Sequence, residues 1–198
     1  MTTHTTVAWS EGRWLHDPAD HHIDDAGKLV VTATEKSDAW ERTYYGFSVN
    51  TVNALVRELP HGAAMEVTLN AAFSEQFDQA GIFVRAGAKN WVKAGLEFSD
   101  GVLQLGAVVT RGVSDWSVSP VHEWLNKDVV IRVSRHDDSI ILRAGVVGEG
   151  LRLVRVLPCL PDDGSVVEAG PFVCSPSRGG LSIAFSSWTL GPADASLH

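Results

Sequence analysis

The sequence predicts an all-β protein, a sandwich of two antiparallel sheets, from three observations. Apolar and polar residues alternate with a period of two in most segments between residues 28 and 190, which is typical of half-buried strands. The chain of 198 residues contains 18 glycines and 8 prolines, and short turn signals separate the alternating segments. Helical periodicity is weak throughout. About ten to twelve short strands in one chain of this length favour a sandwich.

Each alternating segment is bounded by turn residues, which places the strands in order along the chain. The strongest local signal is Asp100-Gly101, because Asp-Gly between two alternating segments favours a β-hairpin. Thr51–Leu59 could form two helical turns, but its end at Pro60 suits a strand as well. The predicted strands are Lys28–Ala33, Tyr45–Val56, Ala64–Ala71, Gln79–Ala86, Asn90–Phe98, Leu103–Thr110, Asp128–Ser134, Ile140–Val147, Arg152–Leu157, Val166–Cys174 and Leu181–Leu190.

A single domain is expected over residues 7–191, because no linker-like or low-complexity segment interrupts the pattern. Residues 1–6 and 192–198 are expected to be frayed termini. The 16 Lys and Arg against 24 Asp and Glu give a net charge of −8, which argues against nucleic acid or an anionic membrane surface as partner. No apolar stretch reaches the roughly 18 residues of a membrane span.

The N-terminal residues have neither the basic start nor the apolar centre of a signal peptide, so a cytoplasmic location is expected. The sequence contains two cysteines, Cys159 and Cys174. Thiols stay reduced in that compartment, and a core of this size needs no disulfide. Both cysteines are therefore expected to be unpaired and buried.

The three central strands, between residues 79 and 110, have one plainly apolar face and one mixed face. Two interpretations of the mixed face are open. It is either a solvated surface with an ordinary Lys93–Glu97 pair, or a binding face on which glycines leave room, aromatic rings stack and polar groups orient a ligand. Glycine weakens a strand interior, which favours the second interpretation. The mixed face carries Gln79, Gly81, Phe83, Arg85, Trp91, Lys93, Gly95, Glu97, Gln104, Gly106, Val108 and Thr110.

The segment Asp78–Ser117 reads DQAGIFVRAGAKNWVKAGLEFSDGVLQLGAVVTRGVSDWS and resembles the DUF1349 family, whose pattern is DQAGLxVR…WVKxGxEx.DG…LSxVVTxGxSDWS. Trp40–Phe47 (WERTYYGF) and Gly170–Pro176 (GPFVCSP) extend the match. The resemblance implies a concanavalin A-like jelly-roll sandwich. The family has no established reaction, and related lectin and glycosidase sandwiches that carry sugars on a concave sheet are an analogy of fold alone. Gly106 departs from the family pattern, which has Ser there.

Two further segments join the mixed face in the candidate site. In Arg111–Ser117, Asp115 is expected at the rim, and Trp116 either stacks on a ring or is buried above an Asx-type turn. Alternation places Tyr44 and Tyr45 on opposite faces, so at most one of them joins Trp40 at a binding surface. The predicted ligand-binding residues are Trp40, Tyr44, Gln79, Phe83, Arg85, Trp91, Lys93, Glu97, Thr110, Asp115 and Trp116.

The sequence supports catalysis and metal binding less than it supports ligand binding on the mixed face. Glycoside hydrolysis needs two carboxylates about 5–9.5 Å apart. The E-x-D-x-x-E motif of concanavalin-like hydrolases is absent, and Lys93 could keep Glu97 ionised, which makes a poor general acid. The residues HDPADHH at 16–22 are expected to form a solvated loop without a metal ion, since no further ligand cluster accompanies them. No cofactor motif is found.

These observations predict a non-catalytic, cytoplasmic β-sandwich that binds a carbohydrate or a similar hydroxylated metabolite on its mixed sheet face. Two alternatives stay open. One is a protein-interaction or regulatory module that uses the same face, and the other is a hydrolase that acts on a sugar.

Overall fold

The computed structural model describes residues 4–70, 72–159, 161 and 164–197. Within these residues the helices are two short 3₁₀ turns, Trp9–Glu11 and His122–Trp124. All other regular elements there are strands. In chain order they are β1 Thr5–Thr6, β2 Arg13–Trp14, β3 Asp20–Ile23, β4 Leu29–Thr32, β5 Ala39–Glu41, β6 Ser48–Asn50, β7 Asn53–Glu58, β8 Ala63–Asn70, β9 Asp78–Gly87, β10 Asn90–Ser99, β11 Val102–Arg111, β12 Ser114–Pro120, β13 Asp128–His136, β14 Ser139–Val146, β15 Arg152–Pro158, β16 Glu168–Cys174 and β17 Ser182–Pro192.

Two large antiparallel sheets form a sandwich, as the sequence predicts. The outer sheet has eight strands in the order β15-β14-β13-β8-β17-β4-β3, and β1 also pairs with β17. The site sheet has seven strands in the order β12-β11-β10-β9-β16-β7-β2. Strands β5 and β6 form a separate two-stranded hairpin, which we call the covering hairpin.

The main core lies between the two sheets, because one face of each strand is apolar. Ile82 and Val84 of β9 pack in one cluster with Val67 and Leu69 of β8. Full burial of such a side chain stabilises the fold by about 1.5–3 kcal/mol. A second apolar cluster lies on the other face of the site sheet, where Trp91 and its neighbours contact the covering hairpin. Part of the mixed face is therefore neither solvated nor open to a ligand.

Most predicted strands are present within two residues of their predicted bounds, and Ala71, the predicted end of one of them, lies outside the described residues. Asp100-Gly101 forms the predicted turn between β10 and β11. The exception is Tyr45–Val56, which is expected as one longer strand or a strand with a bulge and instead contains a turn, β6 and the start of β7. Tyr44 and Gly46 have φ values of 61° and 77°. The chain reverses there, and alternation alone does not locate such a reversal.

Two segments expected as loops are edge strands. Ser114–Pro120 is β12 and pairs with β11, so the Asx-type turn expected there is wrong. Asp20–Ile23, within the histidine-rich segment, is β3 and pairs with β4. The His21 ring lies against Trp14, with centroids 5.2 Å apart, and His16 Nδ1 lies 3.1 Å from the carbonyl of Val52. These histidines therefore have separate structural neighbours.

Contacts also hold residues near both ends of the described chain. Thr5–Thr6 pairs with β17, and the carboxylate of Asp194 accepts hydrogen bonds from Arg132 and Arg143 at 2.9 and 2.7 Å. These contacts attach Thr5, Thr6 and Asp194 to the sandwich, although all three lie in segments that are expected to fray. Cys159 and Cys174 are both free and buried, as predicted.

Candidate ligand-binding cleft

The mixed face of the site sheet is organised in rows that run across the strands, because antiparallel pairing aligns opposite side chains. The rows confirm which residues share this face. They lie in the order Gln79–Glu97–Gln104, Gly81–Gly95–Gly106, Phe83–Lys93–Val108 and Arg85–Trp91–Thr110.

The glycine row reflects the close approach of neighbouring strands. A Cβ atom at Gly81 would lie 2.2 Å from the carbonyl oxygen of Ala94, and one at Gly106 would lie 2.1 Å from that of Ser117. Backbone packing therefore requires glycine here, independently of any ligand. The row also leaves a small depression of about 20 Å³ between Glu97 and Lys93.

The covering hairpin is held over the centre of the mixed face. Trp40 is 7% exposed, packs in one cluster with Phe83 and Trp91, and donates a 3.0 Å hydrogen bond from Nε1 to the carbonyl of Thr43. The backbone N–H of Glu41 donates to Ser114 Oγ at 2.9 Å, which fastens the hairpin to the edge strand β12. Access to the mixed face is therefore from the sides of the hairpin.

A cleft of about 160 Å³ opens on one side of the covering hairpin. Tyr45 and Phe47 are each 49% exposed and stack with centroids 5.8 Å apart. Apolar walls around a few polar groups are typical of small-molecule sites. The cleft is lined by Asp38, Trp40, Tyr45, Phe47, Phe77, Gln79, Lys93, Glu97, Val108, Trp116 and Pro176.

Lys93 forms a buried ion pair with Asp38. Its side chain is 5% exposed, and Nζ donates to Asp38 Oδ1, which also accepts the backbone N–H of Ala39 at 2.8 Å. Burial lowers the pKa of Lys93, but the carboxylate of Asp38 opposes burial, and the net pKa lies above the ordinary lysine value. The interpretation of Lys93 and Glu97 as an ordinary surface pair is therefore wrong, because the Lys93 ammonium forms its ion pair with Asp38.

Glu97 is the carboxyl group of the cleft that lacks an ion-pair partner within the described part of the chain. Burial raises the pKa of Glu97 to about 7, although Lys93 acts in the opposite direction. Lys93 favours the ionised form of Glu97, as the sequence suggests, but burial outweighs this effect and brings the pKa of Glu97 close to neutral pH. On either side of Glu97 in its row, the Oε1 atoms of Gln79 and Gln104 are buried without a hydrogen-bond partner. Such buried acceptors are uncommon.

Phe83 and Trp91 lie beneath the covering hairpin. They are 1% and 2% exposed, and their rings stack with centroids 5.7 Å apart. Trp91 is therefore not the solvent-facing stacking residue that strand parity suggested, because the hairpin covers it. Trp116, on β12, is half-buried and lines the cleft, so Trp116 rather than Trp91 is placed to stack on a ligand there.

Other predicted site residues lie away from the cleft. Arg85 donates to Glu168 at 3.1 Å beside another opening of the mixed face. Asp115 lies on the opposite face of β12 and accepts from Arg155 at 2.9 Å, so its expected position at the rim is wrong. Tyr44 is 94% exposed and outside the cleft, and Thr110 is fully buried.

Sequence reasoning missed several cleft residues. Phe77 and Pro176 reach the cleft from loops beside the site sheet, and Asp38 precedes the covering hairpin. None of them lies in a pattern that points to a face. Tyr45 rather than Tyr44 lines the cleft, which agrees with the expectation that at most one of them joins Trp40.

Comparison with known proteins identifies the family. The family model described as "Protein of unknown function (DUF1349)" matches residues 14–193. This chain belongs to the DUF1349 family. Regulation of enolase protein 1 of Saccharomyces cerevisiae is 35% identical to it over 190 residues, which cover 96% of this chain and 94% of the yeast protein.

Solved structures share the fold of this DUF1349 chain. The crystal structure of a functionally unknown protein from Saccharomyces cerevisiae superposes with a TM-score of 0.86 at 33% identity, covering 96% of this chain and all of that one. Xylan beta-1,4-xylosidase from Bacillus halodurans gives a TM-score of 0.68 at 17% identity, covering 91% of this chain and 39% of the xylosidase. At that identity, the likeness to the xylosidase concerns the fold alone.

Two features are absent from the described residues of the DUF1349 chain. No helix there has the length and apolar character needed to cross a membrane. No group of three or more His, Cys, Asp or Glu side chains there is arranged to hold a metal ion.

Proposed function

We propose that the cleft binds one small hydroxylated ring, a carbohydrate or a similar metabolite, in the cytoplasm and without catalysis. The observation that carries this proposal is the position of Trp40, Tyr45 and Trp116 around a floor that contains the unpartnered Gln79 Oε1. Sugar rings present apolar faces that stack on aromatic side chains and hydroxyl groups that donate to buried acceptors. The aromatic side chains of the cleft therefore match the apolar faces of such a ring, and the buried acceptor matches its hydroxyl groups.

The size of the cleft favours one ring over a longer chain. Its volume of about 160 Å³ is below the roughly 300–1,000 Å³ of pockets for drug-sized ligands. The fold likeness to a xylosidase supports a carbohydrate by analogy alone. We therefore expect a monosaccharide-sized ligand.

The carboxyl groups of the cleft favour binding over hydrolysis. Glu97, with a pKa of about 7, could donate a proton. Hydrolysis also needs a second free carboxylate as base or nucleophile. The carboxylate of Asp38, however, already accepts hydrogen bonds from Lys93 and Ala39.

A protein partner is the second candidate, and the mouth of the cleft supports it. Tyr44, Tyr45 and Phe47 expose large aromatic surfaces at the tip of the covering hairpin, and tyrosine is frequent in interface hot spots. The name of the yeast relative refers to regulation of enolase. In that case the hairpin tip, rather than the cleft floor, would carry the binding energy.

Isothermal titration with D-xylose, L-arabinose and D-glucose tests the first proposal. We expect at least one of these sugars to bind the wild-type protein and the Trp116→Ala variant to lose that binding. Tyr44→Ala is the control, because Tyr44 is an exposed aromatic residue at the tip of the covering hairpin and does not line the cleft. Absence of binding by all three sugars, or equal binding by the Trp116→Ala variant, would contradict the proposal.

A further inference from the structure

We infer that the ring bound in the cleft carries a cationic amino group, as an amino sugar does, and that this group pairs with Glu97. The inference rests on the proposed ring-binding function and specifies its ligand class. Its basis is the charge balance of the cleft floor, the row of acceptors around Glu97 and the aromatic walls.

Among the described residues Glu97 forms no ion pair of its own, although the charge of Lys93 acts on it. The ionisable residues that line the cleft and carry formal charge are Lys93, Asp38 and Glu97. Lys93 and Asp38 neutralise each other through their ion pair. A buried carboxylate is costly unless it is paired, so a positive group on the ligand would gain most beside Glu97.

The acceptors around Glu97 match an ammonium group better than a hydroxyl group. Glu97 lies between Gln79 and Gln104 in one row across three strands, and the Oε1 atoms of both amides are buried without partners. An ammonium group has three N–H donors and no acceptor, whereas a hydroxyl group has one donor. Glu97 and Gln79 line the cleft, so one ammonium group beside Glu97 can serve both of these acceptors together.

The walls of the cleft also favour a cation. Trp40, Tyr45 and Trp116 line the same cleft as Glu97. Aromatic faces attract cations through the ring quadrupole, most strongly when water is excluded, and tryptophan is the strongest of the aromatic side chains. A neutral ring of the same shape would gain the stacking without this attraction.

Because the ligand ammonium pairs with the ionised form of Glu97, the affinity for an amine should depend on pH. Burial raises the pKa of Glu97 to about 7, the charges of Asp38 and Asp100 act in the same direction, and Lys93 and the Ser99 hydroxyl act against them. Below that pH, Glu97–COOH must lose its proton to form Glu97–COO⁻ beside the ligand ammonium, and the proton goes to the buffer. Amine affinity should fall about tenfold per pH unit below 7 and be constant between pH 7.5 and 8.5.

The test compares 6-amino-6-deoxy-D-glucose with D-glucose by isothermal titration at pH 8.0. These two sugars differ in one group. We expect the amino sugar to bind the wild-type protein about tenfold more tightly, as a charge-assisted hydrogen bond allows. Glu97→Gln should make the two affinities equal. The matched control Asp100→Asn, which removes a carboxylate that acts on Glu97 without lining the cleft, should keep the preference.

Each outcome separates this inference from the proposed function. Equal affinities in the wild-type protein would overturn the inference and leave ring binding intact. A preference that persists in the Glu97→Gln variant would also overturn it. Binding of neither sugar would overturn the inference, and the proposed function would fail as well if D-xylose and L-arabinose did not bind either. The wild-type pH profile needs no variant, so an amine affinity that is the same at pH 5.5 and 8.0 would overturn the inference even if the Glu97→Gln variant did not fold.

Discussion

Arg178 donates two hydrogen bonds to the buried carboxylate of Asp78, at 2.9 Å from Nε and 2.7 Å from Nη2. Asp78 also accepts the backbone N–H groups of Ser74 and Glu75. The loop before β9 carries Phe77 to the cleft, and the loop after β16 carries Pro176. One ion pair thus connects the two loops that form this wall of the cleft.

Truncation of Arg178 should therefore affect both stability and binding. Arg178→Ala leaves Asp78, which is 1% exposed, without its counter-ion. Removing one partner of a buried pair costs about 3–5 kcal/mol, and we expect the lower end because the Arg178 side chain is 32% exposed. Urea unfolding measures the loss, and titration with the sugars above should show weaker binding.

Arg155→Ala is the control for that measurement, since its partner Asp115 is 66% exposed. An exposed pair contributes less than about 1 kcal/mol. If both arginine variants lost the same free energy of unfolding, the Asp78 pair would not have the structural role assigned to it.

The Lys93–Asp38 pair predicts a strongly non-additive double-mutant cycle. Asp38→Asn leaves the buried Lys93 ammonium without its carboxylate and should cost about 3–5 kcal/mol. Adding Lys93→Met to the Asp38→Asn variant replaces that ammonium with an apolar side chain of similar length. The double variant should therefore recover much of the lost free energy of unfolding. Chemical denaturation of the two single variants and the double variant gives the coupling energy. Additive losses would show that the two side chains do not interact.

Trp91 is expected to behave as a core residue. Trp91→Ala removes a side chain that is 2% exposed and stacks on Phe83, and truncation of a buried tryptophan costs about 3–5 kcal/mol. Tyr44→Ala, at a side chain that is 94% exposed, should change stability by less than about 0.5 kcal/mol. A Trp91→Ala variant as stable as the Tyr44→Ala variant would contradict the placement of Trp91 under the covering hairpin.

The sequence predicts the sheet faces well, because alternation depends on the two-residue repeat of a strand. Gln79, Lys93 and Glu97 share the face expected for them, and all three line the cleft. The solvent exposure of the side chains on that face was not predictable from alternation. Trp40 and Trp91 are 51 positions apart, and no local pattern shows that they belong to one buried apolar cluster.

The sequence motif of the covering hairpin does not predict which of its two tyrosines lies at the cleft. WERTYYGF resembles a family motif and contains Trp40, Tyr45 and Phe47 of the cleft. Tyr44 has a left-handed backbone with φ of 61°, a conformation that alternation does not predict for a bulky residue. This turn directs Tyr44 to solvent and leaves Tyr45 at the cleft.

Glu97 should make the protein less stable as pH rises. A carboxyl with the ordinary value of 4.5 in the unfolded chain and a pKa of about 7 in the fold holds a proton in the native state that the unfolded chain has released. The free energy of unfolding therefore falls between pH 4.5 and 7, by about 3 kcal/mol from this group. Urea unfolding at pH 4.5, 6, 7 and 8 measures this change.

Glu97→Gln isolates the contribution of that carboxyl, because the amide has nearly the shape of the protonated acid and does not titrate. The variant should equal the wild-type protein in stability near pH 4.5 and exceed it at pH 8. Asp100→Asn should keep most of the pH dependence, since burial rather than the charge of Asp100 is the main cause of the raised pKa. Parallel profiles for the wild-type protein and Glu97→Gln would mean that Glu97 is ionised in the fold at neutral pH, as an exposed glutamate is.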